Sequence, residues 1–406
     1  MKNISGNPYL INKNGKIFID SIPLGMIIEE YETPLLIFLE KRIRDNIKTF
    51  TKVFNEEFES FHCYYSLKAN YLPEICKIVH SEGIGAKAVG LPELKLALRL
   101  GFSPSKIIVG GPYLPNNLIE LSIKNKVHEM IIYNVNDLKK INKIAQKLNH
   151  VQNICIRVNS QKYESKLGVK FDENKINLLV NSISIYKNIK ITSILSHFGT
   201  QMNNITQFEK NVKSIISNLQ LLSTYGIVFE NINLGGGFPE ATVMPPIQLK
   251  KIARIIKINL EKSNLKCPKI SFEPGRYFVG DSGLFLSKIV KVSENRWIFI
   301  DIGNHICPKF ARCSLRFYNA TQIDEPHKFK TSIAGIVPTD QDVLAKNYFF
   351  TQNLRKKDNI IVTNTGAYCL TFSNRFPYAL PIIILINGDM TKKIFDPKLN
   401  NDFSLN

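Results

Sequence analysis

The sequence lacks the features that mark membrane, secreted and zinc-binding proteins. No stretch of its 406 residues reaches the roughly 18 consecutive apolar residues of a membrane-spanning helix, so we expect no membrane contact. Residues 1–7 lack the apolar core of a signal peptide, which predicts a cytoplasmic protein. The 7 cysteines are scattered, odd in number and free of CxxC pairs. They predict free thiols, with neither a disulfide framework nor a metal site.

Acidic residues are scarce relative to basic ones. The chain has 53 Lys and Arg against 34 Asp and Glu, a net charge of +19. Such an excess can attract nucleic acid, an acidic partner or an anionic substrate. The lysines are spread along the whole chain, which is typical of a solvated surface, so we expect no nucleic-acid partner. A substrate carried on an acidic carrier protein is an alternative, because the net charge would steer such a carrier.

Short apolar runs alternate with helical segments and predict a closed barrel. The strands are expected to start near Phe61, Ile84, Lys106, Glu129, Asn153, Thr192, Asn231 and Lys269. Eight strand–helix units predict a (β/α)8 TIM barrel over residues 41–282, and no GxGxxG follows the first strand to favour an open sheet. Strands without long helices predict an all-β domain over residues 283–392, completed by N-terminal strands within residues 1–40. Residues 393–406 are expected to form a loose tail.

Lys68 lies where the apolar run from Phe61 gives way to a loop, before Pro73 opens a helix. The carboxyl ends of barrel strands form the catalytic face of such folds. A lysine amine at that face can attack a carbonyl carbon and form a Schiff base. The alternative is a lysine that merely extends from a strand end into solvent.

Three more clusters follow predicted barrel strands: His197 after the sixth, Gly235–Gly237 after the seventh and Glu273 after the eighth. Glycine amides can converge on a phosphate, an imidazole can stack on a flat ring, and a carboxylate can keep a pyridine nitrogen protonated. Each has a plainer alternative, namely a flexible turn, a core histidine, or an ion pair between Glu273 and Arg276. With Lys68 on the same face, the set describes a pocket for pyridoxal 5'-phosphate (PLP).

These motifs, in this order and spacing, resemble the fold-type III PLP decarboxylases of the ornithine and diaminopimelate group. The segments that carry the resemblance are Tyr-Ser-Leu-Lys-Ala-Asn at 65–70, His-Phe-Gly-Thr-Gln at 197–201, Leu-Gly-Gly-Gly-Phe at 234–238, Glu-Pro-Gly-Arg at 273–276 and Gly-Ala-Tyr at 366–368. The resemblance implies a barrel of the alanine-racemase type, PLP as the cofactor, and a head-to-tail homodimer with active sites at its interface.

The resemblance also implies roles for individual residues. Lys68 would form the Schiff base, His197 would stack on the ring, and Glu273 would bind the ring nitrogen. The residues implied at the phosphate are Thr200, Gly235, Gly236, Gly237, Arg276 and Tyr368, with Arg276 alternatively near a substrate carboxylate. Racemases of this fold generally present an arginine to the ring nitrogen, so Glu273 favours decarboxylation.

The resemblance breaks down on the substrate side. Pro338 stands where the family has the cysteine that protonates the product, although Asp342, implied in reading the substrate, is retained. Arg312 is a stand-in for an arginine that binds a substrate carboxylate, and Lys87 replaces a residue that is often acidic. The thiols considered as replacements for the missing cysteine are Cys307, Cys313 and Cys369.

The sequence therefore predicts a PLP-dependent decarboxylase that acts through Lys68 on a small-molecule amino acid. The substrate is expected to be diaminopimelate-like, ornithine-like or a larger amino-acid conjugate. Two alternatives follow from the departures: a non-catalytic or regulatory homologue, and a decarboxylase with altered protonation because of Pro338.

Overall fold

The computed structural model describes residues 1–160, 165–263, 265, 269–308 and 315–399. Its contacts divide the chain into two units. The barrel unit comprises Ile47–Pro239 and Val243–Gly275, and the β unit comprises Met1–Asn46, Glu240–Thr242 and the described part of Arg276–Ser404. The division falls at 46/47 and 275/276, whereas the sequence predicted 40/41 and 282/283. The first shift has a local cause, since Asn46 donates to the Asp281 carboxylate at 2.8 Å and so belongs to the β unit.

The N-terminal part of the β unit contains five strands and one helix before the chain enters a long helix. They are β1 Lys2–Asn3, β2 Leu10–Lys13, β3 Lys16–Ile19, β4 Ile22–Pro23, α1 Leu24–Glu30, β5 Leu35–Leu39 and the long helix α2 Glu40–Glu57. Strands β1 to β4 form an antiparallel sheet of their own. The fully buried β5 joins the main sheet of the β unit, so it is the predicted N-terminal strand that completes that domain.

The barrel unit alternates parallel strands with helices. Its elements are β6 Phe61–Ser66, α3 Pro73–Ser81, β7 Gly85–Ala88, α4 Leu91–Arg99, β8 Ile107–Gly110, α5 Asn116–Lys124, β9 Glu129–Ile132, α6 Asp137–Lys147, β10 Gln152–Val158, α7 Glu173–Ile185, β11 Ile189–Ser196, α8 Ile205–Ser223, β12 Asn231–Asn233, α9 Pro246–Lys262 and β13 Lys269–Phe272. The eight strands close in the order β10-β11-β12-β13-β6-β7-β8-β9, which confirms the predicted barrel. None of the helices within the described residues is long and apolar enough to cross a membrane.

Aromatic packing fixes α2 against the barrel strands. Phe50 and Phe54 lie one helical turn apart and therefore share a face of the helix. Phe50 meets the Phe238 ring edge-on with centroids 4.9 Å apart, and Phe54 lies 4.6 Å from the Phe272 ring. Each such pair adds about 0.5–1.5 kcal/mol beyond its area burial. This contact holds the helix beside the two strand ends that carry the glycine loop and Glu273.

The β unit continues with a short helix and eight strands. They are α10 Arg276–Val279, β14 Gly283–Ser293, β15 Trp297–Ile300, β16 Arg316–Asn319, β17 Phe329–Ala334, β18 Val343–Phe350, β19 Asn359–Thr363, β20 Ile382–Asn387 and β21 Met390–Phe395. The main sheet runs β18-β17-β15-β14-β5-β20-β21, with β19 pairing β14 and β16. The predicted tail begins too early, because residues 393–395 belong to β21, where Phe395 pairs with Ile383.

Candidate active site

Lys68 lies at the carboxyl end of the first barrel strand, in a single helical turn over Leu67–Ala69. The side chain is exposed, while its neighbours Leu67 and Ala69 are buried. The turn is tied to the eighth strand end, since the Ser66 N–H donates to the Pro274 carbonyl at 3.0 Å. A Cβ on Gly275 would lie only 2.8 Å from the Ala69 Cβ, so a glycine is required there. The amine is thus presented at the predicted catalytic face on a fixed turn.

The glycine loop packs directly on neighbouring strand ends. Gly235 and Gly237 have φ of +66° and +94°, in the left-handed region. A Cβ on Gly235 would lie 2.8 Å from His197 Nδ1, and one on Gly237 would collide with the Gly199 carbonyl. The Gly236 N–H donates to His197 Nδ1 at 3.2 Å. His197 is therefore oriented by the loop, and its Nδ1 is the nitrogen that accepts.

Asn233, which the sequence interpretation missed, connects the glycine loop to Glu273. Its Nδ2 donates to Glu273 Oε1 at 2.9 Å, and its Oδ1 accepts from the Gly235 N–H at 2.8 Å. The Glu273 N–H in turn donates to the Gly235 carbonyl at 2.7 Å. Asn233 is 1% exposed, and its bond to Gly235 is buried while its bond to Glu273 is partly buried. The signal available in the sequence was a polar residue at the end of a barrel strand, two residues before a run of three glycines.

The amides of the glycine loop are less available than the sequence predicted. Those of Gly235 and Gly236 already donate to Asn233 and His197. Only the Gly237 amide has no acceptor among the described residues. Thr200 is exposed on the loop after β11, two residues before Met202, whose N–H donates to the Gly237 carbonyl at 2.8 Å. The loop that carries Thr200 is thus hydrogen-bonded to the glycine loop.

Arg276 and Tyr368 face each other within the β unit. The Arg276 guanidinium carbon lies 4.8 Å from the centre of the Tyr368 ring, a cation–π contact. Arg276 Nη1 also pairs with Glu240 Oε1 at 3.1 Å, and both side chains are buried. Tyr368 has φ of +67°, which is uncommon for an aromatic residue. The ion-pair partner of Arg276 is thus Glu240, a residue that the sequence interpretation did not single out.

Asp342 is held by its own loop. It is 2% exposed, and its carboxylate accepts from the Asn304 N–H at 2.6 Å and from the Val337 N–H at 2.7 Å. A Cβ on Gly303 or Gly335 would collide with this carboxylate, which explains both glycines. Asp342 therefore fixes its own loop, and its role in reading substrate stays a prediction. Pro338 is exposed on the same loop, and Arg312 lies outside the described residues.

Two of the thiols considered as replacements for the missing cysteine contact each other. Cys307 and Cys369 are 0% and 3% exposed, with their sulfur atoms 3.9 Å apart. Both thiols are therefore shielded from solvent in this chain, and a role for either in place of the cysteine that the resemblance implies stays a prediction. Cys313 lies outside the described residues.

Lys87 is buried at the mouth of the barrel. It is 3% exposed, and its ammonium donates to the Gly110 carbonyl at 2.5 Å and to the Ala88 carbonyl at 3.3 Å. Lys87 pairs in register with Ser66, so it lies beside the strand that carries Lys68. Burial raises the pKa of nearby Glu93, while the Val89 N–H and the Lys87 charge oppose that rise. The cation is thus solvated by two backbone carbonyls, at a position where the resemblance implies an acidic residue.

Glu129 is a second buried charge inside the barrel. It accepts hydrogen bonds from Thr192 at 2.8 Å and from Ser193. Burial raises the pKa of Glu129 to about 7, against the opposing effect of these hydroxyl groups, and the negative charge of Glu273 adds to the rise. Burial therefore favours the protonated form of this carboxyl group.

The groups of the barrel unit match the chemistry of PLP. Lys68 supplies an exposed amine, His197 an imidazole oriented by the glycine loop, and Glu273 a carboxylate fixed by Asn233. An amine, an imidazole and a carboxylate are the kinds of group that such a cofactor needs, and their individual roles stay predictions. A parallel barrel with this donor set at its carboxyl end is the cofactor barrel of a PLP-dependent enzyme.

Comparison with known families identifies the class more closely. The model described as the pyridoxal-binding domain of pyridoxal-dependent decarboxylases matches residues 41–280, more than half of the chain. The chain belongs to this family. It is a PLP-dependent amino-acid decarboxylase, which confirms the predicted reaction class and cofactor.

Individual relatives extend over nearly the whole chain. The diaminopimelate decarboxylase of Staphylococcus aureus (strain COL) is 25% identical over 90% of this chain and 91% of its own. The L-glutamyl-[BtrI acyl-carrier protein] decarboxylase of Niallia circulans is 26% identical over 87% of this chain and 88% of its own. The crystal structure of a diaminopimelate decarboxylase from M. jannaschii has a TM-score of 0.87 at 22% identity, covering 97% of this chain and 96% of that one. This likeness shows the shared fold.

Proposed function

We propose that the chain removes the α-carboxylate of an amino acid, with Lys68, His197 and Glu273 as its catalytic residues. The observation that carries the proposal is the connection of Glu273 and the glycine loop through Asn233, beside His197. All of these groups follow barrel strands at the carboxyl end, where Lys68 also lies. The conserved geometry of that end serves chemistry in barrels of this kind.

Each residue has a separate task. Lys68 would hold PLP covalently through its amine. His197 would lie on the face of the ring, and Glu273 would accept a hydrogen bond from the ring nitrogen and keep it protonated. When bound, the cofactor supplies an electron-withdrawing ring for the pair of electrons left on the α-carbon. The positions of Thr200, Gly235, Gly236, Gly237, Arg276 and Tyr368 at the phosphate stay predictions.

We further propose that the amino acid is the end of a larger conjugate carried on an acidic carrier protein. Asp342, the substrate-reading residue implied by the resemblance, is committed to two backbone amides. The net charge of +19 would attract an acidic carrier. The Niallia circulans relative acts on a glutamyl group carried by an acyl-carrier protein. A free diaminopimelate-like substrate is the second candidate, favoured by the S. aureus relative.

The two alternatives from the sequence, a non-catalytic homologue and a decarboxylase with altered protonation, are not equally supported. The non-catalytic homologue loses support, because the family and the relatives are decarboxylases and Lys68 is retained. Altered protonation remains a proposal, since the position of the cysteine is taken by Pro338. The head-to-tail homodimer also remains a proposal, which light scattering of the purified protein would test.

The proposed function is tested by CO2 release and by PLP absorbance of the purified protein. We expect release from a glutamyl thioester of an acyl-carrier protein to exceed release from free diaminopimelate, ornithine and lysine. Lys68→Ala should lower release by about 10³-fold or more, because the variant loses the amine that would form the Schiff base. It should also lack the visible band of protein-bound PLP.

The matched control is Lys52→Ala, which removes an exposed lysine from the outside of α2. It should behave like the wild type in both measurements. Undiminished CO2 release from Lys68→Ala would refute the assigned role of Lys68. Release from free diaminopimelate alone would replace the carrier-bound substrate with the second candidate.

A further inference from the structure

Glu240 is a buried carboxylate whose partner is Arg276. Its Oε1 accepts from Arg276 Nη1 at 3.1 Å, and the two residues are 1% and 7% exposed. No other cation lies within ion-pair distance of Glu240 in the part of the chain that the structure describes. Buried charges persist in proteins when they are paired and hydrogen-bonded, so Glu240 and Arg276 depend on each other.

The position of the Glu240 carboxylate is fixed by its surroundings in the β unit. Glu240 belongs to the stretch Glu240–Thr242 of that unit, and the Thr242 N–H donates to the Asp281 carboxylate at 2.9 Å. A Cβ on Gly280 would lie 2.8 Å from Glu240 Cγ and 3.1 Å from Arg276 Cγ, so this glycine makes room for both side chains. The carboxylate therefore has a defined place and does not merely follow the guanidinium.

The ring of Tyr368 restricts the guanidinium in a second direction. The guanidinium carbon of Arg276 lies 4.8 Å from the centre of that ring. The segment that carries Tyr368 is tied to the same region, because the Gly366 N–H donates to the Gly280 carbonyl at 2.9 Å. The ring limits the tilt of the planar guanidinium, and the Glu240 carboxylate limits its rotation within its own plane.

A guanidinium held in this way is suited to binding an oxyanion. It has five N–H donors in a rigid fork, so a carboxylate can hold one nitrogen while another edge pairs with a phosphate. Because such pairing depends on the direction of the N–H groups, it is sensitive to the contact that sets that direction. The contact with Glu240 therefore bears on anion binding by Arg276 as well as on stability.

We propose that Glu240 is a positioning residue that orients Arg276 for the phosphate group of PLP. The inference rests on the proposed function, in which Arg276 lies at that phosphate, and adds the residue that sets the direction of its N–H groups. Glu240 acts through Arg276 and contacts no reacting atom. Its effect depends on where its oxygen lies, whereas the effect of a purely structural ion pair would depend on its charge.

The test separates the position of the Glu240 oxygen from its charge. Glu240→Gln keeps an oxygen at the same distance from the backbone and removes the charge, whereas Glu240→Asp keeps the charge and draws the oxygens back by one methylene group. Glu40→Gln and Glu40→Asp are the matched controls, because Glu40 pairs with Arg44 at 2.7 Å in the same unit. Dissociation constants of PLP and of pyridoxal, which lacks the phosphate, are measured by absorbance on each apoprotein. Thermal unfolding checks that each variant is folded.

We expect Glu240→Asp to bind PLP about 10-fold or more weakly than the wild type, and pyridoxal within about 2-fold of it. Glu240→Gln should bind both within about 3-fold of the wild type, because its amide oxygen can still accept from Arg276 Nη1. At saturating PLP, kcat of both variants should stay within about 2-fold, since only a contact to the phosphate has changed. The Glu40 variants should match the wild type in every measurement.

Three outcomes would overturn the inference and leave the proposed function intact. In the first, Glu240→Gln loses PLP affinity and Glu240→Asp does not, which would make Glu240 a charge partner only. In the second, Glu240→Asp loses PLP and pyridoxal affinity equally, as a general structural defect would. In the third, Glu240→Asp raises KM for the amino acid without changing PLP affinity, which would assign Arg276 to a substrate carboxylate.

Failure of the proposed function would be recognised separately. A PLP-saturated wild type that releases no CO2 from any of the amino acids or thioesters would refute that function, whatever the PLP affinities of the Glu240 variants.

Discussion

Both units use one buried polar side chain to fix two strands or loops, but with different consequences. In the barrel unit, Asn233 ties the glycine loop to Glu273, and the groups that it holds match the cofactor. In the β unit, Asp342 ties Asn304 to Val337, in the loop that contains Pro338. The first connection orders groups that we propose to hold the cofactor, whereas the second orders a loop that the resemblance implies on the substrate side. The same device thus serves a proposed cofactor site in one unit and the structure of a loop in the other.

The strongest challenge to this comparison is Asn233→Ala. The change removes a hydrogen bond to the Glu273 carboxylate and leaves the Gly235 N–H without its acceptor. Hydrogen bonds to charged groups contribute about 1.5–3 kcal/mol, so turnover should fall about 10- to 100-fold and PLP affinity should fall with it.

The control is Asn231→Ala, two residues earlier on the same strand. Asn231 donates to the hydroxyls of Ser193 and Ser271 and does not touch Glu273. The turnover number and the PLP affinity are measured for both variants and compared with those of the wild type. Equal losses in the two variants would mean that Asn233 supports the barrel generally and has no specific link to the cofactor residues.

Glu129→Gln tests whether ionisation of a buried carboxyl group inside the barrel lowers the free energy of unfolding. The pKa of Glu129 is raised from 4.5 to about 7 in the folded protein. Its stabilising contribution is therefore fully present below about pH 4.5 and is lost as pH rises through about 7. The full difference is on the order of 3 kcal/mol.

Urea unfolding between pH 5 and pH 8 measures this effect. The wild type should lose stability over that range, and the neutral glutamine should remove that part of the slope. Glu230→Gln is the control, since Glu230 pairs with Lys190 on the surface, with about half of each side chain exposed. A slope unchanged by Glu129→Gln would show that Glu129 is ionised throughout.

Asp342→Asn separates the structural assignment of Asp342 from the predicted substrate role. The amide presents an N–H group to the backbone donors of Asn304 or Val337, so we expect a loss of about 1–3 kcal/mol in unfolding free energy. KM should stay within about 2-fold of the wild type. Asp340→Asn, on the exposed part of the same loop, is the control. A large rise in KM without a loss of stability would restore the substrate role.

Pro338→Cys is expected to have the smallest effect of these substitutions, on the ratio of products. If the missing thiol alters the fate of the carbanion, restoring it should raise the ratio of amine to aldehyde product. The ratio is measured by mass spectrometry after complete conversion. Thr339→Cys places a thiol on the adjacent exposed position as the control. An unchanged ratio would remove Pro338 from the explanation of product outcome.

The barrel was predictable because its signals are local. Apolar runs and the residues that follow them placed all eight strands, with the observed starts of β6, β9, β12 and β13 matching the expected ones. The positions of Lys68, His197 and Glu273 after barrel strands were predictable for the same reason, since each follows such a run.

The features that the sequence did not reveal depend on contacts between residues that are distant in sequence. Asn233 gains its role only when β12 and β13 lie side by side, which no spacing in the sequence reveals. Asp342 kept the position of a substrate residue, yet its burial is set by Gly303 and Gly335 closing over it. The availability of the glycine amides likewise depended on His197 and Asn233, which the three glycines alone did not indicate.

The labelling rates of the adjacent Cys307 and Cys369 thiols report on local opening of the β unit. A cysteine-alkylating reagent reaches such groups only when the surrounding strands open, so the labelling rate measures the free energy of local opening. Site-resolved mass spectrometry would follow this unit alone, under native conditions and without denaturant. A variant that loosens the Asp342 loop would then be detected as faster labelling at these two positions while the barrel cysteines keep their own rates.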